Sequence, residues 1–334
     1  MSFFKRCQWL FLLCIISLVA CKRAALPEET QEPSDSYQMP ELPKPILHKI
    51  LEPVKMKDYF EYMETILAIY DTVPGTSINE YHLAHHNQWL INRLCNTDYY
   101  RLKDKGIVNK KHSELTILRP SDRFRIPNAD EIAAIDHNLA NTLIDINLPE
   151  FKLRIIQHGK ILHEFPVRIG QTRRKYLAMA GGEVNLRTRT GIGEIMRINK
   201  DPAFINPANN HVYSKTTRDD GIRTDLPQIP WLEPSIDGIR YGQLIHPTTN
   251  PRTLGKASSN GCIGTREADA WLIYYHAPLG TKVIIRNDRH IIDSQGDTIM
   301  LPRVYSYWKE GKSQPGSPIE KLQAYLPECL NCTE

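Results

Sequence analysis

Apolar positions follow three different spacings along the chain. The first, Trp9 to Val19, is a predominantly apolar run that follows Lys5 and Arg6 and ends at Ala20-Cys21. It is shorter than the roughly 20 residues that span a bilayer. A basic start, a short apolar stretch and a small-residue end are the three parts of an export signal, over residues 1–20. The second spacing is helical. Tyr59, Met63, Ile66 and Tyr70 in KDYFEYMETILAIYD, then Leu83, Trp89, Leu90 and Leu94 in NEYHLAHHNQWLINRLC, predict a small helical region over 56–135. From about Asn141 the period falls to two. TLIDINLPEFKLRIIQHGKILHEFPVRIG reads as strand, turn, strand, Gly-containing turn, strand, and KVIIRND closes a similar run. The fold class expected is mainly β, with the sheet-forming domain over 141–290 and a C-terminal extension over 291–334.

Between the signal and the helices, residues 21–55 hold Pro27, Pro33, Pro40, Pro43, Pro45 and Pro53 among Glu, Ser and Gln. That composition is stiff and poor in core-forming residues, as in a tether. The chain of 334 residues, 41% hydrophobic, is ample for a large core. Loss of residues 1–20, which carry Lys5, Arg6 and no acid, would lower the formal net charge from +4 to +2. Such a balance gives no electrostatic reason to bind nucleic acid. LVAC, Leu18 to Cys21, resembles the lipobox of bacterial lipoproteins. The resemblance implies export, a mature chain beginning at a lipidated Cys21, and a membrane anchor. Lys22 after the cysteine implies, by resemblance to diderm lipoproteins, the outer membrane.

Cysteine and histidine are the candidates for chemistry. Cys95, in the apolar WLINRLC, reads as a buried thiol. Cys329 and Cys332 in CLNC fit a disulfide, a fragment of a metal site or two idle thiols, and two ligands do not complete a zinc site. His82 and His86 stand at i, i+4 with no third ligand nearby, so they read as a solvated helix face, and no metal or cofactor is expected. Cys262 is different. It lies in TLGKASSNGCIGTRE, flanked by Gly261 and Gly264 rather than by apolar neighbours. The strand end Leu244-Ile245 delivers His246, and a loop returns from there to Cys262. An ordinary thiol is a few per cent thiolate at neutral pH; an imidazole beside it raises that fraction as an ion pair and moves the proton on to a leaving amine. The amides of Gly261 and Cys262 are candidate donors to a developing oxyanion.

Residues 141–286 resemble the YkuD-type L,D-transpeptidases, whose signature runs His, a loop, then Ser-His-Gly-Cys-Ile-Arg. The matching residues are His246, Thr248, Asn250, Pro251, Leu254, Gly255, Lys256, Ser259, Gly261, Cys262 and Ile263, with Thr188 to Gly191 echoing an earlier Thr-Pro-Thr-Gly segment. The resemblance implies a β-sandwich-like catalytic domain that acts on peptidoglycan stem peptides without a cofactor. Cys262 would attack the L-centre carbonyl of the third stem residue and release D-alanine. An amine of a second stem would then resolve the thioester into a 3-3 cross-link; water in its place would make an L,D-carboxypeptidase. A non-catalytic wall-binding lipoprotein is the reading of a different class. His246 would be the base, oriented by backbone carbonyls.

Two positions depart from the signature: Asn260 replaces a histidine and Gly264 an arginine. Asn260 is expected to position the loop with Ser259 and Gly261, because an amide cannot shuttle protons. Arg266 is expected to take over a carboxylate contact, with Thr248 and Tyr241 as further substrate-binding residues. Trp231 is a candidate for the groove, whereas Trp271, at helical spacing to Tyr274 and Tyr275, is expected in the core, and His276 in a structural role. Thr116 to Ile132 resembles the closing strand of a LysM-type wall-binding module, with Ser121 where that module has glycine.

Overall fold

Strand Thr142–Asn147 is buried along its whole length, which requires cover on both faces of its sheet. One face is the main core, with Ile144, Ile146, Leu153, Ile155, Val283 and Ile285. The other carries Leu143, Ile156 and Ile284, and these pack beneath Leu322, Ile319 and Tyr325 from the end of the chain. In this computed structural model the described residues are 45–325 apart from 72–76, 106, 108–110, 178–180, 206–208, 219, 294 and 306–315. The expectations for residues 1–20, for Cys21, for the tether up to residue 44 and for Cys329 and Cys332 lie outside the described residues.

The sheet has eight strands in the order Ile263–Thr265, Ile245–Pro247, Trp231–Pro234, Gly191–Asn199, Lys282–Arg286, Thr142–Asn147, Lys152–Gln157, Lys160–Pro166. Two neighbouring pairs are parallel, the first two strands in that order and Lys282–Arg286 with Thr142–Asn147; the others are antiparallel. Gly191–Asn199 bends the sheet. Its first half pairs with Lys282–Arg286 and its second with Trp231–Pro234, with a register shift between Ile195 and Arg197. At the bend, a Cβ on Gly193 would lie 1.8 Å from the Ser235 carbonyl oxygen, so only glycine lets the strands cross. The mainly β expectation for the C-terminal part of the chain holds.

The N-terminal region contains helices Tyr59–Tyr70, Glu80–His86, Gln88–Cys95, Asp98–Asp104 and Ala129–Ala140. Two short antiparallel ladders accompany them, Leu47–Lys49 with Arg123–Arg125 and Val54–Lys55 with Thr116–Leu118. The tether expected to run to residue 55 therefore ends earlier. Ile50 and Val54 are buried, and Pro45 and Pro53 flank strands, where a missing N–H costs little. The solvated face expected for the histidines is also corrected. His82 is buried in a capping box, its N–H donating to Asn79 Oδ1 (3.0 Å) and its Nδ1 accepting from the Asn79 N–H (3.1 Å), while its Nε2 lies 2.7 Å from Asp136 Oδ1. Cys95 is a buried free thiol, as expected.

Helix Glu267–His276 joins this region to the sheet. It has buried residues all round, Trp271 being 0% exposed, and its aromatic side chains pack on Tyr59, Phe60 and Tyr81. Its polar tips are satisfied by the N-terminal region. Trp271 Nε1 donates to the Tyr100 hydroxyl (2.8 Å), and the Tyr274 and Tyr275 hydroxyls each donate to Glu80 Oε1 (2.9 Å). Lys200 neutralises Glu80 at 2.5 Å. Burial and the Glu80 charge hold both tyrosines protonated, well above the usual phenol range. Because one core runs through both parts, Trp271→Ala is expected to cost about 3–5 kcal/mol and to lower the urea midpoint of the helical signal and of the sheet signal together. Two separated transitions, with only one moved, would contradict a shared core.

Candidate active site

The parallel pair at the sheet edge fixes the geometry of the two principal residues. Ile245 stands opposite Ile263, His246 opposite Gly264 and Pro247 opposite Thr265. Side chains alternate along a strand, so His246 and Gly264 share one face, and Cys262, two residues before Gly264, is on that face too. Ile245 and Ile263 point the other way, into the core. The ladder continues into the loop, where the Ile263 N–H donates to the Leu244 carbonyl (2.8 Å) and the Leu244 N–H to Cys262 Sγ (3.4 Å).

Groups from four segments hold the loop before Cys262. Ser259 Oγ donates to the Cys262 carbonyl (2.6 Å) and accepts from the Gly261 N–H (3.2 Å). Thr188 Oγ1 donates to the Gly261 carbonyl (2.9 Å) and accepts from the Gly170 N–H (2.9 Å). Tyr305 closes the ring, its hydroxyl accepting from the Thr188 N–H (3.1 Å) and donating to the Gly170 carbonyl (2.7 Å). Gly261 has φ +115°, and a Cβ there would lie 2.9 Å from Gln243 Nε2, itself a donor to the Arg187 carbonyl. The Gly261 amide is thus used inside the loop, which corrects its expected oxyanion role. The Cys262 N–H has no hydrogen-bond partner among the described residues and remains the donor available to an oxyanion. Asn260 is exposed and accepts from Gln171 Nε2 (3.2 Å), as suits a positioning residue.

His246 is oriented by a carbonyl. Its Nδ1 is 2.9 Å from the Pro247 oxygen, a contact that requires the proton on Nδ1 and leaves the Nε2 lone pair to accept. Trp231 flanks the ring, 5.8 Å between centroids, and Phe204 packs on Trp231 at 5.0 Å. Burial pushes His246 down to about 4, and the Arg168 guanidinium adds to the shift against the Pro247 carbonyl. Burial pushes the Cys262 thiol up, opposed by the Leu244 N–H and the Arg168 charge and reinforced by Glu233. Desolvation thus disfavours the charged form of each group and works against an ion pair between them.

The other expected site residues lie farther out. Thr248 is 3% exposed, and its hydroxyl accepts from the Asn250 N–H (3.2 Å), closing a local turn. Arg266 is exposed at the N-cap of helix Glu267–His276, past the end of the strand that Cys262 precedes. It lines a small cavity with Tyr100, Lys103 and Thr248. Tyr241 is exposed on the loop before His246, with the Arg189 guanidinium 5.0 Å from its ring centre. His276, its Nδ1 2.8 Å from the Leu272 carbonyl, is structural. Sequence reasoning missed Arg168, Gln243 and Tyr305.

Residues 141–285 match the family model of the L,D-transpeptidase catalytic domain, YkuD, which bears out the resemblance carried by the His246 and Cys262 segments. The chain is 25% identical over 142 residues to a YkuD protein of Bacillus licheniformis assigned as an L,D-transpeptidase, covering 42% of this chain and 64% of that one. The chain thus spans less than two thirds of that relative. Among solved structures, an L,D-transpeptidase from Mycobacterium smegmatis aligns at 13% identity over 44% of this chain and 58% of that one, TM-score 0.31. One from Xylanimonas cellulosilytica aligns at 14% identity over 62% and 94%, TM-score 0.32.

The upward push on the Cys262 thiol predicts a pH profile. Alkylation of Cys262 by iodoacetamide, followed by peptide mapping to separate it from Cys95, is expected to rise through the alkaline range, with a midpoint above the ordinary thiol value of about 8.5. A plateau of reactivity between about pH 5 and 7 would mean a preformed thiolate–imidazolium pair and would contradict this account.

Proposed function

We propose that residues 141–290 form a cysteine-dependent L,D-transpeptidase acting on peptidoglycan stem peptides. The observation that supports it best is the shared face of Cys262 and His246, with the Nδ1 proton held by the Pro247 carbonyl. In the first half-reaction His246 Nε2 takes the thiol proton as Sγ bonds to the L-centre carbonyl carbon of the third stem residue. The Cys262 N–H receives the oxyanion. The carbon–nitrogen bond to D-alanine breaks, and the imidazolium returns its proton to the leaving amine. In the second half-reaction the acceptor amine attacks the thioester, gives its proton to His246, and the thiolate leaves and is reprotonated. Water as acceptor turns the same steps into L,D-carboxypeptidase activity, and a chain that binds stems without reaction is the non-catalytic reading.

The N-terminus extends the proposal to location. LVAC before Lys22 supports a lipid on Cys21 and an outer-membrane anchor, with the proline-rich stretch up to residue 44 as tether. Failure of a fatty-acid analogue to label the wild type, or undiminished labelling of Cys21→Ala, would remove the anchor.

A tetrapeptide stem separates the catalytic readings. The enzyme is expected to release D-alanine in step with cross-linked dimer, Cys262→Ala to do neither, and His246→Ala to lose at least roughly a hundredfold in kcat/KM. With His246 pushed down to about 4, the acid limb of kcat/KM is expected near pH 4 and not near the ordinary imidazole value. D-alanine without dimer would leave a carboxypeptidase; stem binding without D-alanine release would leave the non-catalytic reading.

A further inference from the structure

The signature's arginine position, Gly264, is where the structure departs most from its sequence pattern. Arg168 and Gly264 form an isolated antiparallel bridge, exchanging both backbone bonds at 2.9 Å. Residues paired in this way project to the same side of a sheet. On that side a Cβ at 264 would lie 2.6 Å from Arg168 Cγ, 2.6 Å from its Nε and 3.0 Å from its Cδ. The Arg168 side chain therefore occupies the space above Gly264, on the face that carries His246 and Cys262, and the glycine is what admits it. Its charge is felt at both, lowering the imidazole and the thiol alike. Arg266 lies beyond the strand end and has no such placement.

We propose that Arg168 is the specificity-determining cation of this site, holding a carboxylate of the incoming substrate beside Cys262 in place of a side chain at position 264. As a statement about stem peptides this rests on the function proposed above. As a statement about anionic ligands at Cys262 it stands apart from it. A guanidinium presents paired donors suited to a carboxylate, and its stem, lying over a glycine, has limited freedom to leave.

Two alkylating agents of similar size, iodoacetate and iodoacetamide, test it without needing turnover. Both react with the same thiolate, so a change in thiol pKa cancels in the ratio of their rates at Cys262, and the ratio reports the attraction of the carboxylate. Arg168→Ala is expected to lower the iodoacetate to iodoacetamide ratio roughly tenfold, as for loss of one bond to a charged group. Arg168→Lys should keep most of the ratio, and Arg168→Ala with Gly264→Arg should recover it. If the alanine variant fails to fold, raising salt from about 0.05 to 0.5 M on the wild type should slow iodoacetate and leave iodoacetamide unchanged. An unchanged ratio in Arg168→Ala, an equal loss in Arg168→Lys, or wild-type rates whose ratio ignores salt would each overturn the assignment. With stems as substrate, Arg168→Ala should raise KM more than it lowers kcat. Absence of stem turnover in the wild type would defeat the proposed function and leave the alkylation ratio to judge Arg168.

Discussion

Pairing Ile245 with Ile263, in parallel, decides which side chains meet at the edge of the sheet. A slip of one residue would turn His246 or Cys262 into the core and an isoleucine outward, at the cost of burying a polar group and exposing an apolar one. The burial of both isoleucines therefore holds the register that the chemistry needs. The edge itself is closed by Arg168, whose backbone exchanges two hydrogen bonds with Gly264, so one residue both terminates the sheet and brings a charge to the thiol.

The same strand leads at once into helix Glu267–His276, so the packing of that helix bears on the site. The helix is covered by aromatic residues of the N-terminal region and its hydroxyls converge on Glu80, a buried carboxylate neutralised by Lys200. A buried carboxylate without those donors would be costly. The N-terminal helices thus act on the domain as part of its core, whatever else they bind. At the other end, Tyr305 ties Thr188 to Gly170 beneath the Cys262 loop, and Leu322 covers the outer face of the sheet. The extension is part of the folded unit on both counts.

Candidate residues are legible in the sequence where their type breaks the local packing pattern. Cys262 and His246 stood out because a glycine-flanked cysteine and a histidine at a strand end have no packing reason to be there, and Trp271 because its helical spacing to Tyr274 and Tyr275 marks a core face. What escaped depended on contacts between distant segments. Arg168 is far upstream of Cys262, and only a two-bond bridge makes it a neighbour; nothing in its local sequence distinguishes it from Arg266. The turn that Thr248 closes is not legible either, because a hydroxyl in a loop looks the same whether it faces a ligand or closes its own turn. His82 was read as solvated because its partners, Asn79 and Asp136, come from a cap and another helix. Composition also cannot reveal the desolvation that works against an ion pair of Cys262 and His246.

The account stands on Cys262 as the atom that carries the acyl group. Rapid acid quenching of the enzyme with a tetrapeptide donor and no acceptor, followed by peptide mapping, reads that directly. The expected result is a tripeptide acyl mass on the peptide containing Cys262, removed by hydroxylamine as a thioester would be. Donor consumed with no acyl mass on that peptide, or an acyl group on Cys95 or elsewhere, would contradict it.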